Sequence, residues 1–172
     1  MARRTSLVLS TNWHHEILLP ATRRLWNNLL SSELPSGFYL AGGTALALQY
    51  GHRQSQDLDW FLPKPFITSS LLNPLSKLGT LKIAAEDVNT LHLIVRGVKV
   101  SFLHYSYPLL FPILKCDGLP VADARDIACM KLQAISSRGS KKDFFDLYEL
   151  LSHYSLVQIF NWFNRKYRGV KY

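Results

Sequence analysis

Two aspartates two residues apart, Asp57 and Asp59, follow a Gly42-Gly43-Thr44 run, with residues 45–56 between Thr44 and Asp57. Side chains at i and i+2 of a strand share one face, so a strand through this pair aims two carboxylates at one spot. Glycines leave a backbone bare enough for phosphate oxygens to approach its N–H groups. Paired carboxylates hold divalent cations, and two Mg²⁺ ions about 3.5–4 Å apart stabilise both the attacking oxygen and the leaving group of an in-line displacement. The chemistry this combination suits is nucleotidyl transfer: attack on the α-phosphate of a nucleoside triphosphate, with pyrophosphate leaving. The plainer alternative is an ordinary turn followed by two solvent-facing aspartates. Trp60, Phe61 and Leu62 argue against it, because they mark a largely buried strand, where a carboxylate needs a partner or a metal.

The elements around these residues follow from pattern and punctuation. Residues 12–33 carry an apolar stripe at helical spacing (Trp13, Ile17, Leu25, Trp26, Leu29, Leu30), which Pro20 breaks or restarts. Pro35-Ser36-Gly37 reads as a turn and Phe38–Ala41 as a short buried strand. Gly43–Tyr50 reads as a helix opening on the glycine pair and stopped by Gly51, where free N–H groups favour an anion. Thr44 adds a hydroxyl there. Asp57–Leu62 is a strand ended by Pro63 and Pro65. A helix over Ile67–Leu78, weakened by Pro74, leads to three strand-like runs, Leu81–Ala85, Leu91–Val95 and Val98–Tyr105. Asp87–Asn89 and the tight Arg96-Gly97 turn join them into a meander. From Asp123, a capping residue with Asp126 in the first turn behind it, the chain turns helical up to Ser137. Asp143–His153 and Leu156–Lys166 read as two more helices. The expectation is an α+β (α/β) fold with a mixed β-sheet flanked by helices. It is read as a single domain over 1–172, with a sheet core at 36–105 and a helical C-terminal part at 121–168.

Composition narrows the partners. The 172 residues are 48% hydrophobic, enough for a substantial core, and the formal charge of +8 favours a polyanionic partner, nucleic acid or nucleotide first. The two cysteines, Cys116 and Cys129, lack metal-ligand spacing and fit a reducing, cytoplasmic setting. The apolar run after the basic start is too short for a signal peptide. No run approaches ~18 consecutive apolar residues, so no membrane span is expected. His14-His15, His92 and His153 read as structural, and His52 is notable only for adjoining Arg53. The closing run from Arg165 to Tyr172 mixes cations with aromatics, which suits either RNA contact or a solvated tail.

A second cluster lies in the helical part. Lys131 and Arg138 are seven apart on one helix face, and Asp143 and Asp146 share a face at i,i+3. A lysine in an otherwise apolar stretch needs an anion, either a phosphate or these aspartates pinning one helix to the next.

Taken together, Gly42-Gly-Thr-Ala-Leu-Ala-Leu48, His52-Arg53-x-Ser55-x-Asp57-Leu-Asp59, Asp126-Ile-Ala-Cys-Met-Lys131-Leu-Gln-Ala-Ile135 and Arg138-Gly-Ser-Lys-Lys-Asp143-Phe-Phe-Asp146-Leu-Tyr148 resemble the AbiEii/AbiGii abortive-infection toxin group. These are nucleotidyltransferases related to DNA polymerase β. The resemblance covers residues 36–151, and the Thr44-to-Asp57 gap is that of the toxin-like group rather than the shorter one of nucleotidyltransferase antitoxins. It implies that Gly42, Gly43 and Thr44 form a phosphate loop bordered by Arg53 and Ser55. Asp57 and Asp59 would be metal ligands, and Lys131, with Arg138 nearby, would reach the nucleotide phosphates. Asp143 would be the motif acid. The implied cofactor is Mg²⁺, or Mn²⁺ in its place, with an NTP as substrate and tRNA or another RNA as acceptor. A cognate antitoxin is the implied protein partner.

One position departs from the wider superfamily. A third carboxylate is usual on a later strand beside the first two, and here Ser101 stands where it is expected. Glu86, Asp87 and His104 are the nearby residues able to substitute. Two readings therefore stay open: a two-aspartate Mg²⁺-dependent nucleotidyltransferase, or a degenerate relative that binds nucleotide or protein without turnover. A third is a basic RNA-binding protein whose glycine loop is purely structural.

Overall fold

Pro20 opens a helix. Its missing N–H is one the first turn would leave unpaired in any case, so it sits at the start of α1 (Pro20–Leu30), after a single 3-10 turn at His15–Ile17. The structure, a computed structural model, describes residues 12–32 and 36–169. The basic start, Pro35 of the expected turn and the last three residues of the C-terminal basic run lie outside the described residues.

From there β1 (Tyr39–Ala41) runs into α2 (Gly42–Tyr50) and β2 (Leu58–Leu62) follows. Asp57 precedes the first β2 residue, so the strand begins one residue later than its pattern indicates. Next come α3 (Ser69–Ser76), β3 (Leu81–Asp87), β4 (Thr90–Val95) and β5 (Val98–His104). Arg96 and Gly97 both take positive φ at the β4–β5 turn, the geometry that matches strand twist in a two-residue hairpin. A hairpin of three-residue strands, β6 (Leu114–Cys116) and β7 (Leu119–Val121), leads to α4 (Ala124–Ser137), α5 (Lys141–His153) and α6 (Leu156–Lys166).

The seven strands form one mixed sheet in the order β3-β4-β5-β2-β1-β7-β6. The meander occupies one end, β2 joins it parallel to β5, and β7 joins β1 in parallel at the other end. The sheet therefore continues past residue 105 through the β6–β7 hairpin. One face is sealed: Leu58, Trp60, Leu91, Leu93, Val100 and Phe102 are buried together with Leu25, Trp26 and Leu29 of α1 and Leu71 and Leu75 of α3. Each such side chain contributes about 1.5–3 kcal/mol of burial. The opposite face of β2, β4 and β5 stays open enough to carry a site. Among the described residues no helix is long and apolar enough to cross a membrane.

Helix α4 is the hub of the C-terminal part, packing against α2, α5 and α6. Asp123 caps it, accepting from the Arg125 backbone N–H at 2.9 Å. Asp126 does more than answer the helix dipole: it is fully buried and accepts the N–H groups of Leu110 and Phe111. It also accepts Lys166 Nζ at 2.7 Å, and Lys166 donates to the Pro108 carbonyl as well. Lys166 is thus an internal anchor and no part of a solvated tail. Lys166→Met is expected to cost ~1.5–3 kcal/mol, the range for a hydrogen bond to a charged group, read as a shifted urea midpoint. At the other end of the sheet, Asp117 in the β6–β7 turn accepts from His15 Nε2 at 2.7 Å and Trp26 Nε1 at 3.0 Å, tying the hairpin to the N-terminal segment.

Candidate active site

Strand register lays a row of residues across the sheet. Ala41 of β1 faces Asp59 of β2, Asp59 faces Ser101 of β5, and Ser101 faces His92 of β4. Leu58 and Trp60 point into the core, so Asp57, Asp59 and Phe61 point to the other face, as their spacing requires. All three line a cavity of about 500 Å³ together with Gly42, Gly43 and Thr44.

The glycine turn is what lets α2 start beside the carboxylates. Gly42 has φ +70°, a conformation L side chains rarely adopt, and a Cβ there would lie 3.4 Å from Asp59 Oδ2. No side chain caps α2, so its first-turn N–H groups remain available at the cavity wall. Gly43 is needed for a different reason: a Cβ on it would sit 2.2 Å from Arg53 Nη2. Gly43→Ala is therefore expected to displace the Arg53 guanidinium and loosen its pairing with Asp146, read as a lowered thermal midpoint. Thr44 is buried, and its hydroxyl is engaged by Ser55 Oγ at 2.7 Å and by the Asp57 carbonyl. Thr44 and Ser55 thus fasten the segment that carries the aspartates.

Arg53 and Lys131 meet at one carboxylate. Arg53 donates to both oxygens of Asp146, at 2.7 and 3.0 Å, and His52 Nε2 donates to the same group at 2.8 Å. Lys131 Nζ lies 2.5 Å from Asp146 Oδ2 and 3.0 Å from Asp143 Oδ1. Burial alone pushes the Asp146 pKa up. The hydrogen bonds from His52 and Arg53 and the Lys131 charge more than reverse that, holding it well below the usual carboxylate range. Asp143 is likewise held low: burial opposes its charge, and Ser140 and Lys131 outweigh burial. The lysine does pin α4 to α5, and it also lines the cavity. Arg138 stands at the cavity's edge, mostly exposed, with Nε 3.8 Å from Asp143 Oδ2.

Asp57 and Asp59 differ from this second pair. Among the described residues neither has a cation within ion-pair distance. Burial raises the Asp59 pKa, and the Asp57 charge adds to the rise; a hydrogen bond with Ser101 and the charges of Lys99 and Lys131 work against it. Two neighbouring carboxylates without a cation of their own, which offer hard oxygen ligands, fit a hard divalent ion such as Mg²⁺ or Mn²⁺.

Ser101 does occupy the strand position beside Asp59, and of the expected substitutes none takes over its place. The β3–β4–β5 register puts Glu86 and His104 on the opposite face from Ser101, and Asp87 ends β3 away from the cavity. The residue next in the row is His92, whose Nδ1 lies 3.0 Å from Ser101 Oγ. His92, which the sequence reads as structural, lines the cavity, as do Lys99 and Gln133, which it does not single out; Asp146 and His52 prove central to the cation cluster. For His92 and Lys99 a signal was present: they sit on the polar phase of alternating strands.

A model of the family described as "Nucleotidyl transferase AbiEii toxin, Type IV TA system" matches residues 24–111. An uncharacterized protein of Aquifex aeolicus is 39% identical over 156 residues, covering 87% of this chain and 76% of that protein. Among solved structures, JHP933 of Helicobacter pylori is similar with a TM-score of 0.55 at 23% identity, covering 82% of this chain and 66% of that one. The Megavirus polyadenylate synthase is similar with a TM-score of 0.50 at 15% identity, covering 77% of this chain and 30% of that one. The chain thus spans three quarters of the Aquifex relative and about two thirds of JHP933. At these identities the two solved structures speak for the fold, which is that of nucleotidyltransferases, while the family model and the Aquifex relative speak for descent. On these grounds the chain belongs to the AbiEii nucleotidyl transferase toxin family.

Proposed function

We propose that this chain transfers a nucleotide from an NTP to an acceptor hydroxyl, with RNA such as tRNA as the acceptor class. The observation that carries the reading is the approach of Asp59 Oδ2 to Gly42, which brings the carboxylates and the uncapped start of α2 to one wall of one cavity. Asp57 and Asp59 would hold Mg²⁺, or Mn²⁺, whose charge stabilises the attacking oxygen and the pyrophosphate leaving group. The α2 N–H groups, Arg53 and Lys131 bind the phosphates. Asp146 keeps the two cations aimed at the cavity and prevents them from collapsing onto Asp57 and Asp59. Arg138, Lys99 and Lys142 add positive charge around the cavity and favour a polyanionic acceptor.

The attacking hydroxyl must lose its proton, and Ser101 is no base at neutral pH. His92 lines the cavity beside Ser101; with Nδ1 engaged by Ser101 Oγ, its other ring nitrogen would take the proton. His92→Ala is expected to lower kcat about 10²-fold, the low end for a general base, with NTP affinity unchanged. Single-turnover kinetics checks this.

Ser101 also motivates the second reading, a nucleotide- or protein-binding module without turnover. Incubation with each of four labelled NTPs, Mg²⁺ and total tRNA separates the two. Transfer that is lost in Asp57→Asn supports the enzyme, whereas calorimetric NTP binding without transfer supports the module. Growth arrest on expression, relieved by the same substitution, supports a toxin that a cognate antitoxin would restrain.

A further inference from the structure

The cavity floor changes character along the strands. Its phosphate end, beside the glycine turn, carries Asp57, Asp59, Lys99 and Ser101. Because β1 and β2 are antiparallel, with Ala41 opposite Asp59, the floor beyond Asp59 leads away from that turn. Phe61 comes next, about 7 Å further along β2, roughly the span of a ribose. It is paired in register with Leu103 of β5, and Tyr105 follows just past the strand. The Phe61 and Tyr105 rings meet edge to face at 5.6 Å and 76°. All three are half-buried and line the same cavity, an apolar shelf in an otherwise charged hollow. A phosphate gains nothing there, and a flat ring with one polar edge does.

The polar edge is matched from above by α4. Tyr105 Oη donates to Gln133 Oε1 at 3.2 Å. The Tyr105 hydroxyl has one proton and uses it there, so in its hydrogen bond with Tyr167 it accepts. Gln133 thus holds its amide oxygen towards Tyr105. Gln133 Nε2 is left without a protein partner among the described residues, on a side chain that lines the cavity.

We propose that Phe61, Leu103, Tyr105 and Gln133 form the nucleobase subsite of the entering nucleotide. The ring rests on the Phe61–Leu103 shelf, and Gln133 Nε2 donates to an acceptor atom on the base edge and so ranks the four NTPs. The proposal rests on the nucleotide reading above, and inorganic tripolyphosphate, a probe with phosphates and no base, keeps the two apart.

The test is calorimetric titration of the full chain with Mg²⁺ and non-hydrolysable analogues of the four NTPs, beside Mg²⁺–tripolyphosphate. Wild type, Phe61→Ala and Gln133→Leu are compared. Phe61→Ala is expected to weaken all four analogues about tenfold or more, as loss of one base–aromatic contact does. Gln133→Leu is expected to flatten the ranking among bases. Tripolyphosphate binding is expected to be the same in all three proteins. Analogues that keep wild-type affinity and ranking in both variants overturn the subsite while leaving the nucleotide site standing. Failure of both the analogues and tripolyphosphate to bind wild type overturns the nucleotide reading, and the subsite with it. Should Phe61→Ala not fold, Gln133→Leu, whose side chain is nearly the same size, decides the matter alone.

Discussion

Asparagine at position 57 or 59 is expected to remove nucleotidyl transfer by three orders of magnitude or more, and to leave the fold as stable as before or more so. The two expectations have one cause. Asp59 is a carboxylate whose pKa is raised above its ordinary 3.8, by burial first and the neighbouring Asp57 charge in addition. Without a cation, its charged form therefore works against folding at neutral pH. An amide of the same shape removes the repulsion and also the ligand proposed for the metal, so transfer and stability are expected to move in opposite directions. The sign with pH follows. A carboxyl whose folded pKa lies above its unfolded one binds its proton more tightly when folded. Its unfavourable contribution is present above the raised folded pKa and fades as pH falls through it. In EDTA, wild type should gain on Asp59→Asn in thermal midpoint as pH is lowered from 7 towards 4. Mg²⁺ should raise the wild-type midpoint at pH 7 and leave that of Asp59→Asn nearly unmoved. Thermal scans with and without the ion, beside a transfer assay, read all of this.

Asp146→Ala is the substitution with the largest expected effect on stability. The carboxylate is inaccessible to solvent and accepts from His52, Arg53 and Lys131. Its removal leaves the Arg53 guanidinium and Lys131 ammonium partly stranded in a buried setting, which costs about 3–5 kcal/mol. Asp143 still holds Lys131 and keeps the loss from being larger. Transfer is lost too, because the two cations no longer point into the cavity. The pH dependence here is opposite to that of Asp59. The Asp146 pKa is depressed, so its contribution is fully present above the unfolded value near 3.8 and is lost as pH falls through the lower folded one. Asp143 acts in the same direction. Wild type should therefore lose stability below pH 4 more steeply than Asp146→Asn, which has no charge to lose. Urea titrations at pH 7 and pH 3 measure both quantities.

How much of this was legible in the sequence divides along local and non-local lines. The glycine turn and the shared face of Asp57 and Asp59 follow from spacing within one short segment. The Asp123 cap and the Arg96-Gly97 hairpin follow likewise. The pairing of β2 with β5 does not, since it is parallel and crosses the whole meander. Ser101 could be named as the residue at the third-acid position, but only that register shows His92 to be its neighbour. The meeting of Arg53 with Asp146, 93 residues later, is equally non-local. Hairpin β6–β7 escaped because three-residue strands are too short to show alternation, although Asp117-Gly118 at its tip is a turn signal. Lys166 escaped because a cation near a chain end suggests a solvated tail. Its place in the Ile159, Phe163, Lys166 stripe, at helical spacing from two apolar residues, was the available clue.

A crystal structure with Mg²⁺ and a non-hydrolysable NTP bound decides whether this cavity is a nucleotidyl-transfer site. The expected result is one ion held by both Asp57 and Asp59, with triphosphate oxygens against the N–H groups at Gly42-Gly43 and within reach of Arg53 and Lys131. A nucleotide bound elsewhere, or in this cavity with neither aspartate on its metal, would contradict it.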